Sequence, residues 1–218
     1  VLNVFNWGEY IGEDVIANFE EEYGVKVNYS MFDSNEILYT KLLSGTSYDV
    51  IVPSDYMIER LMEEDMLQPL DYSYMTNLDD LDPGVVALRD EYDPDGVYSM
   101  PYFWGSVGLV YNKKNVDADK LEELGWNILK DTEYADRIFM YDSERDSFMV
   151  ALKALGYSMN TENMDEINEA YEWLCELHDT MHPAYVTDEV NDAMINNEKD
   201  IAVVYSGAAA YIISQNED

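Results

Sequence analysis

Positively charged residues are scarce in this chain of 218 residues, which has 12 lysines and arginines against 46 aspartates and glutamates. The formal net charge of -34 at pH 7 repels nucleic-acid phosphates and anionic lipid headgroups, and it favours cationic partners. Most of these carboxylates serve as a solvated surface. We therefore expect no nucleic acid among the partners and a bias toward cations.

Cysteine is almost absent, and the single Cys175 excludes an internal disulfide. Because Cys175 follows an apolar helical run, we expect a buried structural thiol rather than a nucleophile. Exported bacterial proteins can also lack disulfides, so cysteine usage leaves the compartment open. The sequence shows no signal peptide and no transmembrane run. It opens in mid-strand at Val1 and stops at Asp218 after an apolar helical run, so we expect it to be part of something longer.

Catalytic and cofactor motifs are also missing. The chain has no glycine-rich phosphate loop and no Gly-x-Ser-x-Gly elbow. His178 and His182 are four residues apart, but they lack the His-Glu pattern of zinc sites and Pro183 follows at once, which favours a surface pair at a helix end. We expect no metal, no cofactor and no enzymatic activity.

Two alternatives stay open at this point. Glu9 and Asp146 could form the acid and base pair of a glycoside hydrolase, although nothing positive in the sequence favours it. The spacing of Asp93, Asp95 and Gly96 weakly resembles a calcium loop, but Tyr102 stands where a bidentate glutamate is wanted.

Apolar strand-like runs alternate with helix-period runs, which predicts an α/β fold. The first half is predicted as βαβαβ, with runs at 1–5, 13–23, 25–31, 36–43 and 49–52. In the second half we expect strands at 107–111, 138–141 and 201–205 and helices at 148–155 and 164–181. We therefore predict two α/β lobes, 1–106 and 107–218.

Polar and aromatic residues follow the first and third predicted strands. Trp7, Glu9 and Tyr10 come directly after the first strand, and Ser54 follows the third, where it is also expected to cap the next helix. A carboxylate flanked by aromatic faces holds an organic ammonium well. The alternative is that the aromatics are structural and that Glu9 caps the following helix.

In the second half, an acidic turn follows a predicted strand at Asp142 to Asp146. Separated carboxylates suit a linear polyamine, whose methylene spacers pack on aromatic rings such as those of Tyr56, Trp104 and Tyr205. A capped helix N-terminus explains the same acidic residues equally well. One residue can fill both roles.

Several segments together resemble the spermidine/putrescine-binding protein family, in order and at family-like spacing over nearly the whole chain. They are Phe5-Asn6-Trp7-Gly8-Glu9-Tyr10, Ser34-Asn35-Glu36, Tyr48 to Tyr56, Thr76-Asn77-Leu78, Ser99 to Gly105 and Ala151 to Ser158. The resemblance implies a type II periplasmic-binding-protein fold of two lobes, each a β-sheet flanked by helices. It also implies a receptor that closes on spermidine or putrescine and delivers it to the permease of an ABC transporter, without breaking a bond.

By the same resemblance, lobe one would contact the ligand through Trp7, Glu9 and Tyr10, with Ser54 and Tyr56 lining the site. Asp146 would take an ammonium from lobe two. Two positions depart from the family: Ser143 stands where an aspartate is usual, with Asp142 beside it, and Tyr205 stands where a tryptophan is usual. Family members are longer, and a returning segment completes their lobe one. The resemblance therefore implies that lobe one lacks this segment here and that lobe two is incomplete at its C-terminal end. We expect an extracytoplasmic monomer, held at the cell surface by a lipid or membrane anchor outside this chain, or periplasmic.

Overall fold

A computed structural model describes residues 1–8 and 10–217 of the chain. The chain divides into two compact units, Val1–Trp104 and Gly105–Asp218. That these units are the ligand-binding lobes predicted as 1–106 and 107–218 stays a prediction.

The first unit contains a parallel sheet whose strands alternate with helices. In chain order its elements are β1 (Leu2–Trp7), α1 (Val15–Tyr23), β2 (Val27–Phe32), α2 (Asn35–Leu43), β3 (Val50–Ile51), α3 (Asp55–Glu63) and α4 (Pro83–Arg89). Strand β1 lies between β2 and β3 and pairs in parallel with both, so Val4 is opposite Tyr29 on one side and Val50 on the other. The predicted βαβαβ order is confirmed.

Local side-chain chemistry sets the helix ends in this unit. Gly24 ends α1 in the left-handed conformation at φ 64°, which glycine adopts without strain, and its N–H donates to the carbonyl of Glu20. Ser34 begins α2, because its hydroxyl accepts a hydrogen bond of 3.2 Å from the N–H of Ile37. Ser54 is the N-cap residue of α3, as expected, but in the described residues its side chain makes no capping hydrogen bond to the helix.

A small apolar core fixes the carboxyl ends of β1 and β2 against α2 and α3. Its fully buried members are Phe5, Phe32, Leu38, Met57 and Leu61. The rings of Phe5 and Phe32 pack edge to face with centroids 4.8 Å apart. Burying each such side chain contributes about 1.5–3 kcal/mol, so this cluster holds the strand ends in place.

Asp93, which the calcium alternative would use as a ligand, is occupied by its own loop. Its carboxylate is 1% exposed and accepts hydrogen bonds from the N–H groups of Val97, Tyr98 and Ser99 and from the Ser99 hydroxyl, at 2.7–3.0 Å. A carboxylate that accepts this many bonds organises a turn. The geometry favours a structural role for Asp93.

The second unit is a mixed sheet flanked by helices. Its elements are β4 (Val107–Tyr111), α5 (Ala118–Leu124), β5 (Ile138–Tyr141), α6 (Glu144–Leu155), α7 (Met164–Met181), β6 (Ala184–Val186), α8 (Val190–Ile195), β7 (Ile201–Tyr205) and α9 (Ser206–Gln215). The strand order is β4-β7-β5-β6, with β4 antiparallel to β7 and the other pairs parallel. Among the described residues, no helix has both the length and the apolar character that crossing a bilayer needs.

Helix α7 buries one stripe of its surface, and this stripe corrects the expectation for the cysteine. Trp173, Leu177 and Met181 recur at four-residue spacing and pack in the core of the unit. Cys175 is two residues, or about 200° of helix rotation, beyond Trp173 and is therefore exposed. The prediction of a buried thiol is wrong because an apolar run does not by itself reveal which face is buried.

Candidate functional site

The end of β1 places an indole beside the core of the first unit. The Trp7 ring packs on Phe32 with centroids 4.5 Å apart. Its backbone is held from both sides, because the Trp7 N–H donates to Asn6 Oδ1 at 2.8 Å and the Tyr29 hydroxyl donates to the Trp7 carbonyl at 3.3 Å. Glu9, the carboxylate expected next to this indole, lies outside the described residues, so its predicted role stays a prediction.

Tyr10 belongs to an aromatic cluster that reaches across the unit. Its ring lies 6.2 Å from that of Trp7 and 5.2 Å from that of Phe103, between centroids. The Tyr102 hydroxyl donates to the Tyr10 carbonyl at 2.5 Å, and burial raises the pKa of the Tyr102 phenol. Trp104 ends the unit with 74% of its surface exposed.

Tyr102 and Phe103 were not predicted as neighbours of Tyr10. They are more than 90 residues away in sequence, and the aromatic stretch before β4 was the signal available. The structure brings predicted Trp7 and Tyr10 together and adds these two rings to them.

Ser54 and Tyr56 meet at the start of α3, joined by a residue from α2. Asn35 Nδ2 donates to Ser54 Oγ at 3.1 Å and to the Tyr56 hydroxyl at 2.9 Å, while Asn35 Oδ1 accepts from the Ser54 N–H at 3.0 Å. The Tyr56 hydroxyl in turn donates to Glu36 Oε1 at 3.1 Å. Both predicted residues are thus placed by Asn35, which is 5% exposed.

In the second unit, Asp146 and Tyr205 are brought into direct contact. The Tyr205 hydroxyl donates to both carboxylate oxygens of Asp146, at 2.9 Å each. The ring of Tyr205 packs edge to face on Tyr141, with centroids 5.1 Å apart. The carboxylate is therefore held in one orientation by a phenol at the carboxyl end of β7.

The acidic turn after β5 forms the N-terminus of α6, as the alternative interpretation expected. Ser143 is the N-cap residue, and its hydroxyl accepts a bond of 3.3 Å from the N–H of Asp146. This cap starts the helix at Glu144, one turn before the predicted start at Phe148. Asp146 thus lies in the first helical turn, where its charge is favoured whether or not it binds a ligand.

Asp142 lies outside this helix and next to a cavity. Its N–H donates to the Val186 carbonyl at 2.9 Å, which extends the pairing of β5 with β6. The cavity has a volume of about 400 Å³ and runs between α6 and α7, with Tyr185 and Cys175 also in its wall. Asp142 lines this cavity, whereas Asp146 contacts Tyr205.

The aromatic rings and hydroxyls of the first unit, and the carboxylates and tyrosines of the second unit, are groups whose chemistry suits a cation. Carboxylate oxygens and hydroxyl lone pairs accept hydrogen bonds from an ammonium group, and aromatic faces attract its charge. In the described residues, no three or more histidine, cysteine or acidic side chains are grouped so that they could hold a metal ion.

Comparison with known proteins identifies the family. The family model described as bacterial extracellular solute-binding protein matches residues 14–218, so the chain belongs to this family of extracytoplasmic proteins. The predicted extracytoplasmic location is thereby confirmed.

Individual relatives are similar over almost the whole chain. The spermidine/putrescine-binding periplasmic protein of Salmonella typhimurium is 35% identical over 210 residues, which cover 95% of this chain and 59% of that protein. The putrescine-binding periplasmic protein PotF of Escherichia coli is 32% identical over 216 residues, covering 94% of this chain and 58% of that protein. These similarities confirm the predicted resemblance to the polyamine-binding proteins.

Solved structures confirm the predicted two-lobed binding-protein fold class. A structure from Listeria monocytogenes is 40% identical with a TM-score of 0.89, covering 100% of this chain and 66% of that one. The spermidine/putrescine ABC transporter substrate-binding protein PotD of Streptococcus pneumoniae is 38% identical with a TM-score of 0.74, covering 99% of this chain and 65% of that one. The chain therefore spans less than two thirds of the length of these relatives.

Proposed function

We propose that this protein is the solute-binding receptor of an ABC transporter, and that it captures spermidine or putrescine outside the cytoplasm and delivers it to the permease. Each unit contains residues that we propose to contact the ligand. The receptor acts as a monomer and breaks no bond in its ligand.

The observation that carries this proposal is the 35% identity with a spermidine/putrescine-binding protein, spread over 95% of the chain. The family match over residues 14–218 spans the segments that contain Ser54, Tyr56, Asp146 and Tyr205. The net charge of the whole chain, -34, also favours a cationic ligand over an anionic one.

The second unit supplies the clearest support from geometry. Asp146 is an acceptor of fixed orientation next to the rings of Tyr205 and Tyr141. A carboxylate beside aromatic edges and faces can take an ammonium group and pack the methylene groups that follow it. In the first unit, the rings of Trp7, Tyr10 and Phe103 offer the same kind of apolar wall.

A thermal-shift screen of the full-length protein tests the proposal against its alternatives. Putrescine, spermidine, other small amines, calcium and oligosaccharides are added in turn. A ligand present at a hundred times its Kd stabilises the folded state by about 2.7 kcal/mol, so a specific polyamine raises the Tm by several degrees. A rise with calcium or an oligosaccharide, and none with amines, contradicts the proposal.

Two variants that each remove one negative charge distinguish a direct contact with the ligand from the effect of the protein's net charge. Asp146→Asn removes the proposed acceptor, and Asp192→Asn removes one exposed carboxylate in the first turn of α8. We expect polyamine affinity to fall at least about tenfold in the first and to change less than about twofold in the second. Equal losses in both would show that Asp146 acts only through net charge.

A further inference from the structure

Asn35 lies between the two residues of the first unit that were expected to line the site. It is the first residue of α2, directly after the cap Ser34, and it is 5% exposed. Its side chain turns away from its own helix to the loop before α3, 19 residues further along the chain. A buried side-chain amide needs partners for its donors and its acceptor, and the structure provides them at Ser54 in this loop and at Tyr56 in the first turn of α3.

The backbone decides which way the amide of Asn35 is oriented. The N–H of Ser54 can only donate, so the atom of Asn35 that faces it at 3.0 Å must be the oxygen Oδ1. The Nδ2 group then faces the hydroxyls of Ser54 and Tyr56, at 3.1 and 2.9 Å, and donates one proton to each. The direction of these hydrogen bonds therefore follows from a single main-chain donor.

This orientation determines what the two hydroxyls can offer to other groups. Each of them already accepts one hydrogen bond from Asn35, so its own proton must point elsewhere. The proton of Tyr56 goes to Glu36 Oε1, at 3.1 Å. Ser54 Oγ keeps a second lone pair, and an ammonium group, which can only donate, needs such an acceptor.

We propose that Asn35 is a positioning residue of the polyamine site: it orients the hydroxyls of Ser54 and Tyr56 and so sets where the first unit accepts hydrogen bonds from the ligand. This proposal rests on the proposed function. Asn35 acts through these two residues and needs no contact with the ligand.

A double-mutant cycle on the full-length protein tests this role. Kd values for spermidine and putrescine are measured by calorimetry for wild type, Asn35→Ala, Tyr56→Phe and the double variant. We expect Asn35→Ala to raise Kd about tenfold, and the double variant to lose less than the product of the two single losses, because residues in one network are coupled. A change below twofold in Asn35→Ala, or losses that multiply in the double variant, would overturn the proposal.

Leu38→Ala controls for a general loss of stability. Leu38 lies in the same helix and is fully buried in the core. It takes no part in the hydrogen bonds between the Asn35 side chain, Ser54 and Tyr56. Its truncation lowers the Tm at least as much as that of Asn35. Affinity within about twofold of wild type in Leu38→Ala, beside a tenfold loss in Asn35→Ala, identifies positioning rather than stability as the cause. Equal losses of affinity contradict it.

Amide hydrogen exchange gives a readout that needs no ligand. Without the Asn35 acceptor, the Ser54 N–H should exchange at least about tenfold faster, while the Val52 N–H, bonded to the Phe5 carbonyl at 3.0 Å, keeps its rate. If wild type binds no polyamine but exchange changes in this way, the proposed function fails and the orientation of Ser54 by Asn35 stands. Unchanged exchange at Ser54 refutes the orientation itself.

Discussion

Removing the hydroxyl of Tyr205 should destabilise the second unit measurably, because this hydroxyl is the donor that holds Asp146. In Tyr205→Phe the ring and its edge contact with Tyr141 remain, and only the hydroxyl at 2.9 Å from both carboxylate oxygens is lost. A hydrogen bond to a charged group contributes about 1.5–3 kcal/mol. Since the pair is only partly buried, we expect the lower part of that range, about 1.5 kcal/mol in the free energy of unfolding.

Urea unfolding followed by circular dichroism measures this loss. With an m value of about 2 kcal/mol/M for a domain of this size, a loss of 1.5 kcal/mol lowers the urea midpoint by roughly 0.7 M. Tyr211→Phe is the matched control, because it deletes the same hydroxyl from a ring that is 50% exposed on α9. Its midpoint should stay within about 0.25 M of wild type. A Tyr205→Phe midpoint no lower than that of Tyr211→Phe would refute the inferred bond.

Three further predictions concern packing, backbone and pH. Leu177→Ala should lower the free energy of unfolding by about 2–5 kcal/mol in urea titrations, because Leu177 is fully buried in the second unit; a loss below about 1 kcal/mol would contradict its placement. Gly96→Ala should lower the Tm by several degrees, because Gly96 has φ +62° and an added Cβ would lie 1.8 Å from the Arg89 guanidinium. Gly207→Ala is the control and should leave the Tm unchanged, because an added Cβ there has no atom within 4 Å. The hydrogen bond from Lys120 holds the pKa of Asp131 below its ordinary 3.8, so the stability from this pair is present above pH 3.8 and is lost as the pH falls through the lowered pKa. The difference in stability between wild type and Asp131→Asn should accordingly be constant near pH 7 and shrink below pH 3.8, and a difference that grows in acid would contradict the pairing.

Elements with a strong local pattern could be predicted from the sequence. The strand Val107–Tyr111 and the helix Met164–Met181 have the predicted bounds, because the strand is a short continuous apolar run and the helix combines a clear hydrophobic period with a capping residue at its start. The strand Ala184–Val186 was missed because three residues are too few to show a period. The cap by Ser143 explains why α6 begins earlier than its apolar period indicates.

Contacts between residues far apart in sequence could not be predicted. Ser54 was expected to cap α3 from its position alone, but the buried amide of Asn35 engages its hydroxyl and N–H instead. The approach of Tyr102 to Tyr10 depends on a tertiary contact between the loop before β4 and the segment that follows β1. In both cases the local sequence supplies the residue type, and tertiary packing decides its partner.

Isothermal titration calorimetry measures directly whether this protein binds a polyamine. Spermidine and putrescine are titrated into the full-length protein at physiological ionic strength. We expect saturable binding of one ligand per chain, with a Kd near or below about 1 μM, corresponding to roughly -8 kcal/mol. Heats that cannot be distinguished from dilution for both amines would contradict it.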